Sequence, residues 1–526
     1  MTGREAELPG ARAAIRFAYT GEVAADSVRE ALEVLRQAAY LGIEGCGAAC
    51  LQLLLSMLAL AVPEVSVSKP SADGQSSGGF PYPHVLELWE CRERWPDPLE
   101  EPGFAAVLAF ATRQLLAHFG DALAVLNSRS LLAHILGLPA SALEALLESD
   151  DFGTDTESSV LLLLAEWMAV NHDRTTAATR ERLCQRVRLV QLSRPYLHSV
   201  LLPLAAEYEV RVALEAAELA APAPSSPPFP ACPSFPGSPT SSSPLISRSS
   251  SCVSSPSSPR TPATPAPPSS TSSSPRPPPL PGWFPITVTE ASFITGLAGA
   301  SDQERRKLNE EAGDVYDLSL PWYSSRPRRQ CLPPEGRTYE WELPSRDLER
   351  ALSAIKPGEQ LGLQGASLAG GPAVYFAGGF AWETFIFLEA GAAPSAPVAS
   401  MMAVECALPA SVARPCPRHK VMAAPSISAR LALHHWRNGV RQEECMCYRS
   451  TTHVATGTST GKALQHLRLL PAAPPGAAAL GAGGAGGRRV DAWEAYLHEG
   501  RMSGAFTLLP PQPAPQPAAA AFSKLW

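Results

Sequence analysis

The chain of 526 residues carries a formal net charge of −7, and its 45% hydrophobic content supplies enough apolar material for a sizeable core. The acidic balance argues against a nucleic-acid-binding protein, which needs excess Lys and Arg to neutralise phosphates. We find neither the roughly 18 consecutive apolar residues of a membrane-spanning helix nor the apolar core of a signal peptide. The cysteines, 11 in number, do not indicate a disulfide framework, so we expect the protein in the cytoplasm, the nucleus or both.

The first part of the chain has the periodicity of amphipathic helices. Apolar residues recur at three- and four-residue spacing after Asp26, which is a candidate N-cap, and Gly42 suits the left-handed position that ends a helix. A second helix is predicted over residues 44–60, followed by a flexible Gly- and Ser-rich loop at 62–79. Apolar stripes over residues 83–219 predict a stack of α-hairpins.

A compositional break follows the helices. Residues 221–281 contain 20 prolines and 20 serines and no Asp or Glu. Such a segment buries too little apolar surface to offset its ordering entropy, so we expect a disordered linker.

Beyond the linker, residues 283–509 show the two-residue alternation of β-strands. Tyr339, Trp341 and Leu343 share one face of a predicted strand, and further strands are expected over residues 382–388, 401–407 and 427–433. Short strands between Gly- and Pro-rich turns indicate a β-sandwich or a barrel. A Gly/Ala run at 476–487 is read as a low-complexity insert, and residues 510–526 as a disordered tail.

Two stretches of the helical part resemble known domains. Residues 5–61 contain a strand-like "ELP", then "YTGEV" after a helix, then "EGCGAACLQLLLS", and this order resembles the second half of a BTB/POZ domain. Residues 83–219 resemble a BACK domain, most specifically in the acidic Glu157 before a Leu-rich helix, in Trp167 and in "VRLVQLSRPYL" at 187–197. The segments "RTYEWELP" and "AWETFIFLEAG" more distantly resemble the β domain of plant and green-algal BTB–BACK proteins and MATH-type sandwiches.

The resemblance implies an α+β protein of several domains: a BTB C-terminal half, a BACK stack, a disordered linker and a MATH-like β-sandwich. BTB–BACK proteins are commonly substrate adaptors of cullin-3-class ubiquitin ligases. In these adaptors the BTB domain dimerises and grips the cullin, and a further domain holds a protein substrate. A complete BTB domain begins earlier than the part matched here. We therefore expect either that the gene model lacks the start of the domain, or that the BTB remnant packs on the BACK domain and has lost cullin binding.

Two motifs carry chemical hypotheses. Residues 457–461 match the G-x-S-x-G pattern of a hydrolase nucleophile elbow with Ser459 as nucleophile, although an ordinary Gly/Ser turn has the same composition. Cys445 and Cys447 share one face of a predicted strand, and three histidines lie nearby in sequence. These are His434, His435 and His453. A structural zinc site requires four ligands in a firmer pattern, so we expect no metal and no cofactor.

Aromatic residues of the β region have two interpretations. Trp341, Tyr375, Trp382 and Phe385 could line a groove for a partner peptide, or they could fill the core of the sandwich, where aromatic rings bury the most area.

The basic residues before the first strand also have two interpretations. Arg326, Arg328 and Arg329 are read as a solvated loop, with a nuclear-targeting signal as the alternative.

The linker carries candidate modification and docking sites. Seven of the hydroxyl residues that precede proline are predicted substrates of proline-directed kinases; they are Ser238, Ser243, Ser255, Ser258, Thr261, Thr264 and Ser274. The "RPPPLP" run, with Pro278 and Pro281, favours polyproline II and could dock in an aromatic groove. A semi-stiff spacer with incidental sites is the competing interpretation.

The sequence therefore predicts a non-enzymatic adaptor that links a target protein to a cullin-type ubiquitin ligase. Its expected partners are the cullin and a protein substrate, with neither nucleic acid nor membrane. The alternatives are an interaction scaffold that has lost cullin binding and a serine hydrolase that uses Ser459.

Overall fold

The structure is a computed structural model of the whole chain. It describes residues 3–60, 82–97, 101–220, 282–367, 373–390, 398–412, 422–423, 425–451, 454–455, 467–469 and 489–511. The chain divides into two compact units, residues 1–211 with 276–526, and residues 212–275. The described part of the smaller unit is the end of one helix, so the fold below is that of the larger unit.

Helices dominate the first part of the described chain. Up to residue 220 they are α1 (Gly3–Thr20), α2 (Val28–Leu41), α3 (Cys46–Ala59), α4 (Pro83–Glu90), α5 (Phe104–Phe119), α6 (Ala122–Leu126), α7 (Arg129–Leu136), α8 (Ala140–Glu148), α9 (Glu157–Asn171), α10 (Ala177–Gln185), α11 (Arg194–Tyr196) and α12 (Leu202–Ala220). Later in the chain come α13 (Val288–Gly299), α14 (Asp302–Ala312) and α15 (Ser345–Ala354).

The strands are all paired antiparallel. They are β1 (Arg337–Pro344), β2 (Gln360–Gln364), β3 (Ala366–Ser367), β4 (Val374–Ala377), β5 (Phe380–Ala390), β6 (Val398–Ala407), β7 (Met422–Ala423), β8 (Ser426–Arg437), β9 (Val440–Thr451), β10 (Val454–Ala455), β11 (Leu467–Leu469), β12 (Leu497–His498) and β13 (Arg501–Leu508). One sheet has the order β3-β1-β13-β8-β9, with β12 beside β13, and the second has the order β11-β6-β5-β2, with β4 beside β5. Strands β7 and β10 form a separate pair.

The two larger sheets face each other. Tyr375 on β4 stacks on Phe506 on β13, with ring centroids 5.3 Å apart, and its hydroxyl donates to the carbonyl of Glu340. Trp341 and Leu343 on β1 are buried, as are alternate residues of β8 from 427 to 433. The mixed α+β architecture and the antiparallel β region are therefore as the sequence predicts, and a sandwich core explains the alternation.

Two local features of the N-terminal helices differ from expectation. The N-cap of α2 is Ser27 rather than Asp26, because the Ser27 hydroxyl accepts the backbone N–H of Glu30. The predicted strand-like "ELP" lies inside α1, since the surrounding Ala-, Arg- and Glu-rich sequence favours a helix. Gly42 ends α2 with a φ of 64°, as predicted.

The N-terminal helices pack on the helices that follow them. Leu32 and Leu35 of α2 are buried in the same apolar cluster as the cores of α5 and α9. The carboxylate of Glu87 on α4 accepts the first two backbone N–H groups of α2, at 3.3 and 3.1 Å. This arrangement satisfies helix donors that have no partner within α2.

The segment predicted as the start of the β-rich region has a different structure. Between residues 282 and 336 the chain forms α13 and α14 and then a segment of turns and irregular structure with one 3-10 helix (Pro321–Tyr323). We call residues 313–336 the connecting segment. The indole of Trp322 and the guanidinium of Arg328 donate hydrogen bonds to carbonyls of the helical part. The first strand of the sheets begins after this segment, at Arg337.

A tight hairpin turn joins the second sheet to the helices. Gly378 and Gly379 connect β4 to β5, and both have the positive φ of a two-residue hairpin loop. The backbone N–H of Gly378 donates to Asp155 at 2.6 Å, and that of Gly379 donates to the Ser159 hydroxyl at 3.2 Å. The side-chain amide of Asn127 bonds both backbone groups of the strand residue at 376, at 2.8 and 2.9 Å.

Within the described ranges, no single helix has the length and apolar composition of a membrane span. The bent pair of α7 and α8 passes that test only jointly, and its apolar residues Ile135, Leu143 and Leu146 are buried in the core.

The hairpin turn provides a matched pair of substitutions. A Cβ atom at Gly379 would lie 2.5 Å from the Tyr196 ring, whereas one at Gly378 would meet nothing within 4 Å. Both changes incur the left-handed cost of about 1–2 kcal/mol. We expect Gly379→Ala to lose about 1–3 kcal/mol more than Gly378→Ala, because it overpacks the contact with the helices.

Urea denaturation of the full chain, followed by tryptophan fluorescence, measures this difference. Equal losses for the two variants would show that the turn does not press against the helices.

Candidate functional site

The connecting segment lies along the helical part and is held by hydrogen bonds over its length. The indole N–H of Trp322 donates to the carbonyl of Cys184 at 2.8 Å, and the amide of Gln191 donates to the carbonyl of Ser324 at 3.3 Å. The backbone N–H groups at 154 and 331 extend this pairing to the loop before α9. The segment is therefore part of the folded surface of the helical region.

Arg328 forms a fully buried ion pair with Glu157 at the centre of this contact. The side chains are 0% and 2% exposed, and Nε of Arg328 lies 3.0 Å from the carboxylate. Glu157 is the first residue of α9, where a negative charge is favourable, and its carboxylate also accepts the backbone N–H of Arg188.

The rest of the Arg328 guanidinium satisfies the ends of two helices. It donates to the carbonyls of Leu147 and Ser149 at the end of α8, at 2.6 and 2.9 Å, and to that of Arg186 after α10, at 3.1 Å. Carbonyls at helix C-termini lack intrahelical donors and carry partial negative charge. Arg328 therefore serves as a shared C-cap as well as an ion-pair partner.

Further arginines gather around α8. Glu144 lies 2.6 Å from Arg92 and 3.0 Å from Arg186, with Arg182 at 3.6 Å, and Arg186 also reaches Glu148 at 3.6 Å. Burial raises the pKa of Glu144, but its bonds to Arg92 and Arg186 outweigh this effect and leave the pKa below its ordinary value.

Asp150 joins the helical part to the connecting segment. One carboxylate oxygen bonds to Arg188 and the other lies 3.0 Å from Arg326. The bond from Arg188 lowers the pKa of Asp150, so the carboxylate stays ionised at neutral pH. Together these ion pairs join six arginines to four carboxylates.

A cavity of about 350 Å³ opens between α8, the loop after α10 and the connecting segment. Its charged lining comprises Arg186, Arg188, Arg326, Glu148 and Asp150. The apolar lining comprises Leu147, Leu318, Leu320 and Pro321, with the ring of Tyr323. The cavity thus combines guanidinium groups with an apolar wall.

The structure places the predicted groove aromatics mainly in the core. Trp341, Tyr375 and Trp382 are 1%, 5% and 1% exposed, so they do not line an open groove, and the core interpretation describes their positions. Phe385 lies half-buried on the outer face of β5, beside Phe387 at a ring distance of 5.7 Å.

Other predicted sites fall outside the described residues. They are Pro278, Pro281, Ser238, Ser243, Ser255, Ser258, Thr261, Thr264, Ser274, Ser459 and His453, together with the side chains of Cys445 and Cys447. Among the described residues, no group of three or more His, Cys, Asp or Glu side chains could hold a metal ion. His434 is buried with Nδ1 3.0 Å from the Ser503 hydroxyl, and burial lowers its pKa.

The solvated-loop interpretation of the basic run is wrong for Arg328. Arg326 and Arg329 are exposed, but Arg328 is fully buried against Glu157. Both partners stand out in the sequence. Glu157 is an acidic residue before a Leu-rich helix, and Arg328 belongs to a short basic run. Their pairing across 171 residues has no local signal, so sequence reasoning missed it.

Loss of one partner of this ion pair provides a stability prediction. We expect Arg328→Met to lower the free energy of unfolding by about 3–5 kcal/mol, because Glu157 is left buried without its cation. The control is Arg329→Met, an exposed neighbour on the same segment, which we expect to change stability by no more than about 0.5 kcal/mol.

Urea denaturation midpoints of the two variants and the parent chain test this expectation. If Arg329→Met is as costly as Arg328→Met, the buried pair does not hold the segment.

Comparison with known proteins assigns part of the helical region. Residues 111–202 match the family model for BACK, described as BTB And C-terminal Kelch. The matched span contains Glu144, Asp150, Glu157 and Arg188, so one side of the cavity and of the buried ion pair comes from it. No curated protein and no solved structure matches the chain. The helical part of this chain therefore contains a BACK domain, which fits a protein of the BTB–BACK type.

Proposed function

We propose that the protein is a non-enzymatic adaptor that holds a target protein and brings it to a cullin-3-class ubiquitin ligase. The match of residues 111–202 to the BACK family is the observation that carries the proposal. Adaptors of this kind raise the effective concentration of a target near the transferring enzyme, and need no catalytic residue of their own. The cytoplasm or nucleus is the corresponding location.

The coupling between the BACK helices and the β-sandwich supports this role. The Arg328–Glu157 pair holds the connecting segment, and the bidentate Arg337–Asp121 pair, at 3.0 and 2.8 Å, holds the first residue of β1. Gly378 and Gly379 dock the second sheet. An arm that presents a bound target needs such fixed coupling, because a loose joint would lower the effective concentration.

Exposed apolar side chains on the N-terminal helices are candidate contact residues for a partner. Tyr19 on α1 and Tyr40 on α2 are 87% and 85% exposed, and Leu8 and Ile15 on α1 are about half exposed. Exposed aromatic residues are frequent anchors of protein interfaces. This is the region whose sequence resembles part of a BTB domain, so we assign the cullin contact, and any dimer contact, to it.

Co-purification tests the adaptor proposal. We expect the tagged full chain, expressed in cells of the organism it comes from, to co-purify with a cullin-3-class protein. We expect the double variant Tyr19→Ala, Tyr40→Ala to reduce the amount of cullin recovered at least about fivefold. The control is Val315→Ala, since Val315 is a 71% exposed apolar residue on the connecting segment, away from these helices.

Recovery of the cullin at background level from the parent chain would contradict the ligase role. Recovery of other proteins without the cullin would favour the interaction scaffold. An equal reduction in both variants would contradict the assignment of the contact to the N-terminal helices.

A further inference from the structure

We propose that the cavity between α8, the loop after α10 and the connecting segment binds a short peptide with an oxyanion side chain, phosphorylated or carboxylate, beside an apolar one. The inference names a partner class for the adaptor proposed above. Only the biological role of this binding rests on the proposed adaptor function. The binding of the peptide itself can be measured without a ligase.

The first support is the balance of charge at the cavity. The surrounding ion pairs join six arginines to four carboxylates, in a chain whose net charge is −7. The lining itself has Arg186, Arg188 and Arg326 against Glu148 and Asp150. Positive charge is therefore concentrated here against the overall charge of the protein, and it attracts an anion.

The second support is the donor capacity that the ion pairs leave. A guanidinium has five N–H donors, and Arg326, whose side chain is 77% exposed, forms one ion pair, with Asp150 at 3.0 Å. Arg186 is 29% exposed and divides its contacts between Glu144 and Glu148, and its Nε is buried without a hydrogen-bond partner. Guanidinium groups of this kind bind phosphate and carboxylate in a bidentate manner.

The third support is the preorganisation of the site. The carbonyl of Arg186 accepts from the buried Arg328, and the carbonyl of Arg326 accepts from Arg188 at 2.8 Å. The backbone at both cationic positions is thus fixed by partly buried hydrogen bonds before any ligand arrives. A preorganised site loses less entropy on binding than a flexible basic loop does.

The apolar wall and the size of the cavity define the kind of ligand. Leu318, Leu320 and Pro321 form a surface beside the guanidinium groups, which a bare phosphate ion would leave uncovered. A volume of about 350 Å³ lies at the lower end of the range for ligand pockets and has room for a few side chains. Asp317, which accepts from the Ser319 hydroxyl at the rim, disfavours ligands with several scattered negative charges.

The experiment uses the purified full chain and three oriented libraries of nine-residue peptides. The central residue is phosphoserine, glutamate or serine, and the flanking residues are randomised. We expect the phosphoserine library, the glutamate library or both to be retained above the serine library, with apolar residues selected beside the anion. The affinity of the best peptide, measured by fluorescence polarisation, should fall steeply when NaCl rises from about 50 to about 300 mM.

Matched variants locate the binding. We expect Arg326→Ala to weaken the best peptide at least about fivefold, while Arg329→Ala, an exposed neighbour that does not line the cavity, changes the affinity less than about twofold. Ser324→Glu, which adds a carboxylate to the lining, should weaken binding at least as much as Arg326→Ala. Unchanged unfolding midpoints in all three variants show that the fold is kept.

Three results would overturn the proposal. In the first, neither the phosphoserine nor the glutamate library is retained above the serine library. In the second, Arg326→Ala and Arg329→Ala weaken the affinity of the best peptide equally. The third is competition by inorganic phosphate at the affinity of the peptide, which would mean that the apolar wall contributes nothing. Peptide binding without any cullin recovery would leave this site standing and remove the ligase role.

Discussion

The buried pair of Arg328 and Glu157 is the interaction on which the arrangement of the larger unit depends. Taking two charges out of water costs several kcal/mol for each ion, and the cost is offset only when every donor and acceptor is satisfied. Here the guanidinium bonds the carboxylate and three backbone carbonyls at the ends of α8 and α10. The carboxylate lies at the start of α9. Arg328, from outside the helical domain, therefore compensates two helix C-termini, and its partner Glu157 compensates the N-terminus of a third helix.

This interaction explains why the helical region and the β-sandwich are coupled through polar contacts. An apolar segment would tolerate small shifts along the helices, whereas a guanidinium with defined acceptors fixes one register of residues 326–331 against the loop before α9. That register places Arg337 opposite Asp121, and so sets the position of β1. The hairpin at Gly378 and Gly379 then provides a second, independent contact, which restricts rotation about the first.

Local sequence patterns predicted the elements, and the contacts between distant elements required the structure. The stop at Gly42 and the alternation over residues 427–433 are local: each follows from a backbone preference or from the period of a strand. Trp341 shows the limit, because the same aromatic residue suits a core and a groove, and burial alone distinguishes them. Arg328 shows it more sharply, since a short basic run is normally solvated, and only its long-range partner makes it a buried residue.

The same argument bears on the cavity, which no motif in the sequence marks. Its cations are Arg186 at the C-cap of α10, Arg188, whose backbone N–H donates to Glu157, and Arg326 on the connecting segment. They converge only when the segment is in register. A stabilising contact and a recognition surface thus share one stretch of chain. Because Arg328 holds the backbone of the cavity from the buried side, Arg326 is exposed on a fixed backbone, and its guanidinium is available to a ligand at little further entropic cost.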